Sequence, residues 1–397
     1  MNKFLRIFIY LYFVFLSAND IFRFYEWLPL YQYFLIPILV LGFANGLKFI
    51  DYKSDLFLIL MLVFLFVSSA LNDNAKTTNY VVAYLYVILG MYLIFKSHLI
   101  TSGVSFETIM RMNFYGVVLL SIYIILEVSL KYLIDFDISA YLYRTRETTA
   151  MFSLGLYRAY GFSTEPTSVA WYLNSFAPLA IYYLVTNIKT FLMKYILISV
   201  IICSFVLTFS SAGFLYSFIG LAFIIIKYDL YRVFASKIFL LHLSLFLALV
   251  ALSEPIFNGV YYFVEGISDK ILLNDEYASV NLRVEAVKIA LDRFSQSPII
   301  GGGLGLTSSL GEVSPMSWYL ILLTNGGIFA FFSFLIFAIL KLYQVMAIKG
   351  DIGVYMTFSV VVSLLSLSTT AIFFNPFLWV LMALVSMYRY EYRIKGA

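Results

Sequence analysis

The sequence has few charged residues. Only 12% of its 397 residues are Asp, Glu, Lys or Arg, whereas 62% are hydrophobic. A soluble domain of this size is about one quarter charged and nearer half apolar. Because a soluble fold could not bury so much apolar surface, lipid must be the solvent for part of the chain. The sequence therefore predicts an integral membrane protein, and its formal net charge of +4 does not indicate a nucleic-acid partner.

Cysteine and histidine are nearly absent. The single cysteine, Cys203, lies inside an apolar run, which excludes an intrachain disulfide and a cysteine-based metal site. The two histidines, His98 and His242, lie far apart in the sequence, and we interpret both as structural. The sequence therefore predicts no metal site and no cofactor.

Long apolar runs are abundant. One helix needs roughly 20 mostly apolar residues to cross the hydrocarbon core. About twelve runs qualify, so we predict a single all-α integral membrane domain over residues 1–397. The weakest division is a tight hairpin predicted at residues 210–213, whose two flanking runs are short enough to be partly re-entrant. The predicted spans are residues 4–18, 29–47, 55–71, 80–96, 112–134, 168–186, 194–210, 212–227, 237–253, 317–341, 353–370 and 373–389.

The basic residues indicate an orientation. Cytoplasmic segments of membrane proteins carry an excess of Lys and Arg. With the N-terminus in the cytoplasm, every predicted inner segment holds at least two basic residues, and both termini lie inside. The two long loops, about 135–167 and 254–317, then lie on the non-cytoplasmic side. Glu127 is the clear intramembrane charge, interpreted either as functional or as an interfacial residue paired with Lys131.

The first long loop contains a motif with one arginine and one glutamate. Residues 158–166 read RAYGFSTEP, so Arg158 and Glu165 stand seven positions apart. Pro166 is suited to the first turn of the next helix, which places Glu165 beside that helix's N-terminus. An anion bound there would be stabilised by the helix dipole. The alternative is a capped helix entry with a surface ion pair.

The second long loop contains a predicted amphipathic helix over about 279–296. At 100° per residue, Arg283 falls on the same side as Val287, Leu291 and Phe294. Arg293 lies at the border of that side. A guanidinium among apolar residues needs a partner and is suited to a bidentate phosphate contact. The alternatives are snorkelling and an internal ion pair.

A glycine-rich segment follows this helix. Residues 297–305 read SPIIGGGLG, which places Gly301, Gly302, Gly303 and Gly305 within five positions. Such a run permits either a flexible lid or close approach of the backbone to a neighbour. No Gly-Lys-Ser/Thr sequence follows, so the segment is not a nucleotide P-loop.

Together these motifs resemble the bacterial Wzy-type polymerases of O-antigen and capsule, within the O-antigen polymerase/ligase superfamily. The resemblance rests on residues 158–166, 281–294, 297–305 and 320–328, about a quarter of the chain. It implies a GT-C-like helical fold in the bacterial inner membrane. It also implies transfer of a growing glycan from an undecaprenyl-pyrophosphate carrier to another lipid-linked repeat unit, with a chain-length regulator as a further partner.

By motif position, the resemblance assigns pyrophosphate binding to Arg158 and Arg283, with Arg293 as a third candidate. Glu165 is the carboxylate best placed to act as the base for the acceptor hydroxyl. The outer loops hold no histidine or cysteine, so we expect transfer without a metal. Relatives that ligate glycan onto lipid A core carry a His-Asn pair where this chain has Met316-Ser317, which favours a polymerase. A ligase and a lipid-linked-sugar flippase remain the alternatives.

Overall fold

The computed structural model describes residues 3–18, 29–44, 51–72, 74–141, 152–153, 156–228, 278–306, 315–371 and 373–395. In these residues the fold is all-α. The one exception is a two-residue antiparallel hairpin, in which Phe152–Ser153 pairs with Leu156–Tyr157.

The first half of the chain forms one group of long apolar helices. They are α1 (Lys3–Val14), α2 (Leu30–Ala44), α3 (Tyr52–Leu71), α4 (Thr77–Leu85), a π-helix (Tyr86–Ile94), α5 (Phe95–Thr101) and α6 (Phe106–Ile134). The π-helix joins α4 to α5 without a break, so residues 77–101 form one continuous helical segment. A short 3₁₀ turn, Ile138–Tyr141, follows α6.

The second half continues the bundle. Its helices are α7 (Pro166–Asn187), α8 (Phe191–Val206), α9 (Ser211–Lys227), α10 (Ala278–Gln296), α11 (Trp318–Met346), α12 (Asp351–Ser366) and α13 (Pro376–Lys395). The division between α8 and α9 falls at residues 207–210, where the Ser210 hydroxyl caps α9 by accepting the Gly213 N–H. Pro166 occupies the first turn of α7, as the sequence predicts.

Within the part of the chain that the structure describes, four helical segments are long and apolar enough to cross a membrane: Tyr52–Leu71, Thr77–Thr101, Phe106–Ile134 and Trp318–Met346. Helices also lie on seven other predicted spans, but several of these helices have only 12 to 17 residues. The predicted span at 237–253 lies outside the described residues. The structure therefore shows apolar helices that are compatible with a membrane protein, whereas the count of twelve spans stays a prediction.

Hydrogen bonds between segments identify which helix ends lie near one another. At one end, which we call the loop end, the Ala159 N–H donates to the Leu207 carbonyl, and the Trp318 N–H donates to the Leu367 and Thr370 carbonyls. At the opposite end, the Phe106 N–H donates to Glu391.

Helix α11 is broken at Gly327, whose backbone has φ 66° and ψ −167°. The break leaves carbonyls and N–H groups without helical partners, which is costly in an apolar environment. The glycine-rich segment satisfies them. Gly302 and Gly303 donate their N–H groups to the Thr324 and Asn325 carbonyls, and Ile328 donates to the Pro298 carbonyl.

Close packing explains why this segment is rich in glycine. Gly301 and Gly303 have φ near 84° and 85°, and a Cβ added to Gly301 would lie 2.5 Å from the backbone of Asn325 and Gly327. The Ser68 hydroxyl of α3 accepts the Gly303 N–H at 2.9 Å. These contacts favour close backbone approach at Gly301, Gly302, Gly303 and Gly305 over the predicted loop flexibility.

The opposite end contains a buried ionic cluster that the sequence analysis missed. Asp55, Lys96 and Lys341 are at most 2% exposed, so the expectation that Glu127 is nearly the sole buried charge is wrong. The prediction ended its spans near these residues and treated them as connectors. Helices α3, α5 and α11 in fact extend past them, which carries their charged groups into the bundle.

Candidate functional site

The loop end holds the segment that carries Arg158. This segment is anchored to α6 by Glu127, which is only 1% exposed. The Glu127 Oε1 atom accepts the Tyr157 hydroxyl at 3.0 Å and the Tyr160 N–H at 3.1 Å, and its Oε2 atom accepts the Gly161 N–H at 2.9 Å. Lys131 pairs instead with Asp135 at 2.5 Å, so the predicted Glu127–Lys131 pair is wrong.

Arg158 lies between these anchored residues and is half-buried. Its Nε atom is buried and has no hydrogen-bond partner in the part of the chain that the structure describes. Burial lowers the pKa of the Arg158 guanidinium; nearby Tyr160 and Glu165 raise it, and Arg283 lowers it. An arginine keeps its charge under any of these shifts. The guanidinium is therefore a partly desolvated cation whose Nε–H is not bonded to any described residue.

The same electrostatic environment contains Arg283 and Glu165, which come from the two different loops. Both side chains are exposed, and both lie close enough to Arg158 to shift its pKa. Glu165 immediately precedes α7, and its side chain does not cap that helix. Glu165 and Arg283 thus lie near Arg158, although helices α7, α8 and α9 separate Arg283 from the other two residues in the sequence.

Helix α10 packs differently from the prediction. Among its side chains from Arg283 onward, the buried ones are Ala286 and Ala290, each 1% exposed, which lie one turn apart and let the helix approach α11 closely. Val287 and Leu291 are 41% and 52% exposed. The helical wheel placed Arg283 within a buried apolar face, but in the structure Arg283 does not lie in one. It stands on an exposed stripe with Val287 and Leu291, at i, i+4 and i+8.

Arg293 lies ten residues after Arg283, about 15 Å further along the helix axis. Its Nη1 atom donates to Gln296 Oε1 at 3.3 Å, within the last turn of α10. Arg293 thus lies toward the glycine-rich end of α10, away from Arg283. Its role in pyrophosphate binding stays a prediction.

The expectation of metal-free chemistry did not consider two acidic residues at the start of the first long loop. Asp135 and Asp137 flank Phe136 just after α6, with Asp135 in a left-handed conformation at φ 50°. Among the described residues, no group of three or more His, Cys, Asp or Glu side chains could hold a metal ion. Asp135 is paired with Lys131. Glycan transfer without a metal therefore stays a prediction for experiment to test.

The arrangement is chemically suited to a large anion. Two guanidinium groups supply forked donors that match phosphate oxygens. The nearby N-terminus of α7 favours negative charge, and Glu165 offers an exposed acceptor for a proton. Comparison of the sequence with models of known protein families and with curated proteins finds no match.

Sequence reasoning missed the part that Glu127 plays. Its burial was evident from its place in an apolar run, but two of its partners are backbone N–H groups more than thirty positions away. Backbone donors leave no residue-type signature in a sequence. The one available signal was the cost of burying a carboxylate, which requires that several donors converge on it.

Proposed function

We propose that this chain is a polysaccharide polymerase of the outer face of the bacterial cytoplasmic membrane. It would transfer a growing glycan from an undecaprenyl-pyrophosphate carrier to the sugar of a second lipid-linked repeat unit. The observation that carries the proposal is half-buried Arg158, whose buried Nε atom has no hydrogen-bond partner among the described residues. Glu165 and Arg283 lie near enough to act on its charge. The motif resemblance to Wzy-type polymerases supports it independently.

The reaction follows from the charges. The bond between the glycan's anomeric carbon and the pyrophosphate oxygen breaks, and negative charge develops on the pyrophosphate. Arg158 and Arg283 stabilise that charge through their guanidinium donors. Glu165 accepts the proton of the acceptor hydroxyl as its oxygen bonds to the anomeric carbon. The products are the lengthened lipid-linked glycan and undecaprenyl pyrophosphate.

The exposed stripe on α10 supports a lipid-linked substrate. Arg283 begins the stripe, and the exposed apolar side chains of Val287 and Leu291 follow it along one side of the helix. A polyprenyl pyrophosphate has the same order of parts, a charged head attached to an apolar tail.

The finer membrane arrangement belongs to the same proposal. With the loop end facing outward, the basic residues of the opposite end face the cytoplasm, in agreement with the positive-inside pattern. Twelve spans, both termini inside and a GT-C-like helical arrangement complete this topology. A ligase of the same superfamily would use the same site with a different acceptor.

A flippase for lipid-linked sugars is the second candidate, because one observation favours it. Buried ionisable groups in membrane helices commonly mark transport pathways, and Asp55, Lys96 and Lys341 form such a group. However, Asp55 pairs with Lys96, and Lys341 pairs with Asp51 and donates to Ser386, all at the end away from the Arg158 site. We therefore favour the polymerase.

Deletion of the gene in its native host separates the three activities by the glycan that remains. Loss of a polymerase is expected to leave single repeat units on the cell surface, detected as one short band by gel electrophoresis. Loss of a ligase would leave no linked glycan there, and loss of a flippase would trap the lipid-linked units inside. Either of the last two patterns would refute the polymerase.

A further inference from the structure

Glu127 is a buried carboxylate that accepts hydrogen bonds from one short segment of the chain. It lies in α6, seven residues before the helix ends at Ile134. Burial of an isolated carboxylate is strongly unfavourable unless donors satisfy it. Here three donors do so, at 2.9 to 3.1 Å, and each comes from residues 157–161.

These bonds fix the backbone on both sides of Arg158. Tyr157, which donates its hydroxyl, precedes Arg158 in the chain. Tyr160 and Gly161, which donate their N–H groups, follow it. Between them, the Ala159 N–H donates to the Leu207 carbonyl at the turn between α8 and α9. Gly161 has φ 54°, and a Cβ there would lie 2.8 Å from Leu120 of α6. The segment therefore has little freedom to shift relative to α6.

We propose that Glu127 is a positioning residue that presents Arg158 to the pyrophosphate of the lipid-linked substrate. This inference rests on the proposed function, because it needs Arg158 to bind that group. Glu127 acts through the backbone of the Arg158 segment. Preorganised donors stabilise developing charge better than donors that must first be ordered. A rigid Arg158 thus binds the pyrophosphate with less loss of conformational freedom.

The geometry distinguishes a carboxylate from its amide. Both oxygens of Glu127 accept N–H or O–H donors. In Glu127→Gln the side-chain NH₂ group must face either the Gly161 N–H or the pair formed by the Tyr157 hydroxyl and the Tyr160 N–H. Two donors then oppose each other in a buried place, so the segment must move away from α6.

The test measures binding of inorganic pyrophosphate to the purified full-length protein by isothermal titration calorimetry. Glu127→Gln is expected to weaken binding about tenfold or more, because a hydrogen bond to a charged group is lost. Tyr157→Phe removes a single donor, keeps the fold, and is expected to weaken binding by a smaller factor. Ser121→Ala is the matched control: it removes a buried α6 hydrogen bond, to Ser204, that does not touch the Arg158 segment.

A double-mutant comparison separates positioning from a general structural role. If Glu127 acts through Arg158, adding Glu127→Gln to Arg158→Ala causes no further loss of affinity. Wild-type affinity in both Glu127→Gln and Tyr157→Phe would overturn the proposal, as would equal, additive losses in the Arg158→Ala background. If the wild-type protein binds no pyrophosphate, the proposed function fails and the positioning role fails with it. Binding that survives Glu127→Gln refutes the positioning role alone.

Discussion

Arg158→Lys is expected to lower the rate of glycan polymerisation about a hundred- to thousandfold, the effect of losing one preorganised donor to a developing oxyanion. Arg158 is half-buried, and its Nε atom has no partner among the described residues. Lysine keeps the positive charge but cannot form two parallel bonds to a phosphate group. The measurement is the length distribution of surface glycan, normalised to the amount of protein in the membrane.

Two controls accompany this variant. Arg111→Lys makes the same change at an exposed arginine of α6, near the end of the helix away from Glu127, and is expected to leave chain length unchanged. Lys288→Ala removes an exposed cation from α10, the helix of Arg283, and should also have little effect. Full activity of Arg158→Lys at normal protein levels would exclude Arg158 from the site.

The sequence alone assigns this largest effect to Arg283, as the charge within the apolar side of its helix. The structure leaves Arg283 exposed, so water screens its interactions and a lysine can approach the same anion. Arg283→Lys is therefore expected to reduce polymerisation less than Arg158→Lys does. The order of the two effects follows from burial, which the helical wheel of α10 did not give correctly.

Asp55→Ala is expected to lower the free energy of unfolding by about 3–5 kcal/mol, since it leaves a buried cation without its partner. Asp55 is 2% exposed, pairs with Lys96, and accepts the Tyr92 hydroxyl at 2.8 Å. The cluster continues to Lys341, which donates to Ser386 at 2.8 Å. The measurement is thermal or denaturant unfolding of the purified protein in detergent.

The Asp55→Leu/Lys96→Met double variant tests the physical reason. It removes both charges, so it should regain most of the stability that Asp55→Ala loses. Asp351→Ala, an exposed carboxylate at the first residue of α12, is the control and should change stability little. An Asp55→Ala protein as stable as the wild type would show that the pair contributes nothing to the fold.

Much of the fold follows from the sequence because apolar runs of sufficient length have few alternatives in lipid. The tight division before α9 was predicted at residues 210–213, and the structure has it slightly earlier, at residues 207–210, with Ser210 as the cap of α9. The break in α11 was not predicted. A glycine pair is compatible with an unbroken helix, and only the docking of Gly302 and Gly303 against Thr324 and Asn325 shows why the break is tolerated.

The candidate site could be predicted as residue types but not as contacts. The motifs single out Arg158, Glu165 and Arg283, and the structure brings these three into one electrostatic environment. The hydrogen bonds from residues 157–161 to Glu127 and the buried Asp55–Lys96 pair both join groups far apart in the sequence. Neither has a local pattern, because backbone donors and helix lengths decide both.

The central claim is the transfer of glycan between lipid-linked repeat units, and reconstitution tests it most directly. The purified full-length protein, placed in liposomes with undecaprenyl-pyrophosphate-linked repeat units, is expected to produce a ladder of longer glycans. One undecaprenyl pyrophosphate should be released for each bond formed, and EDTA should not stop the reaction. Failure of the folded wild-type protein to lengthen any unit, or equal lengthening by wild type and Arg158→Lys, would contradict the account.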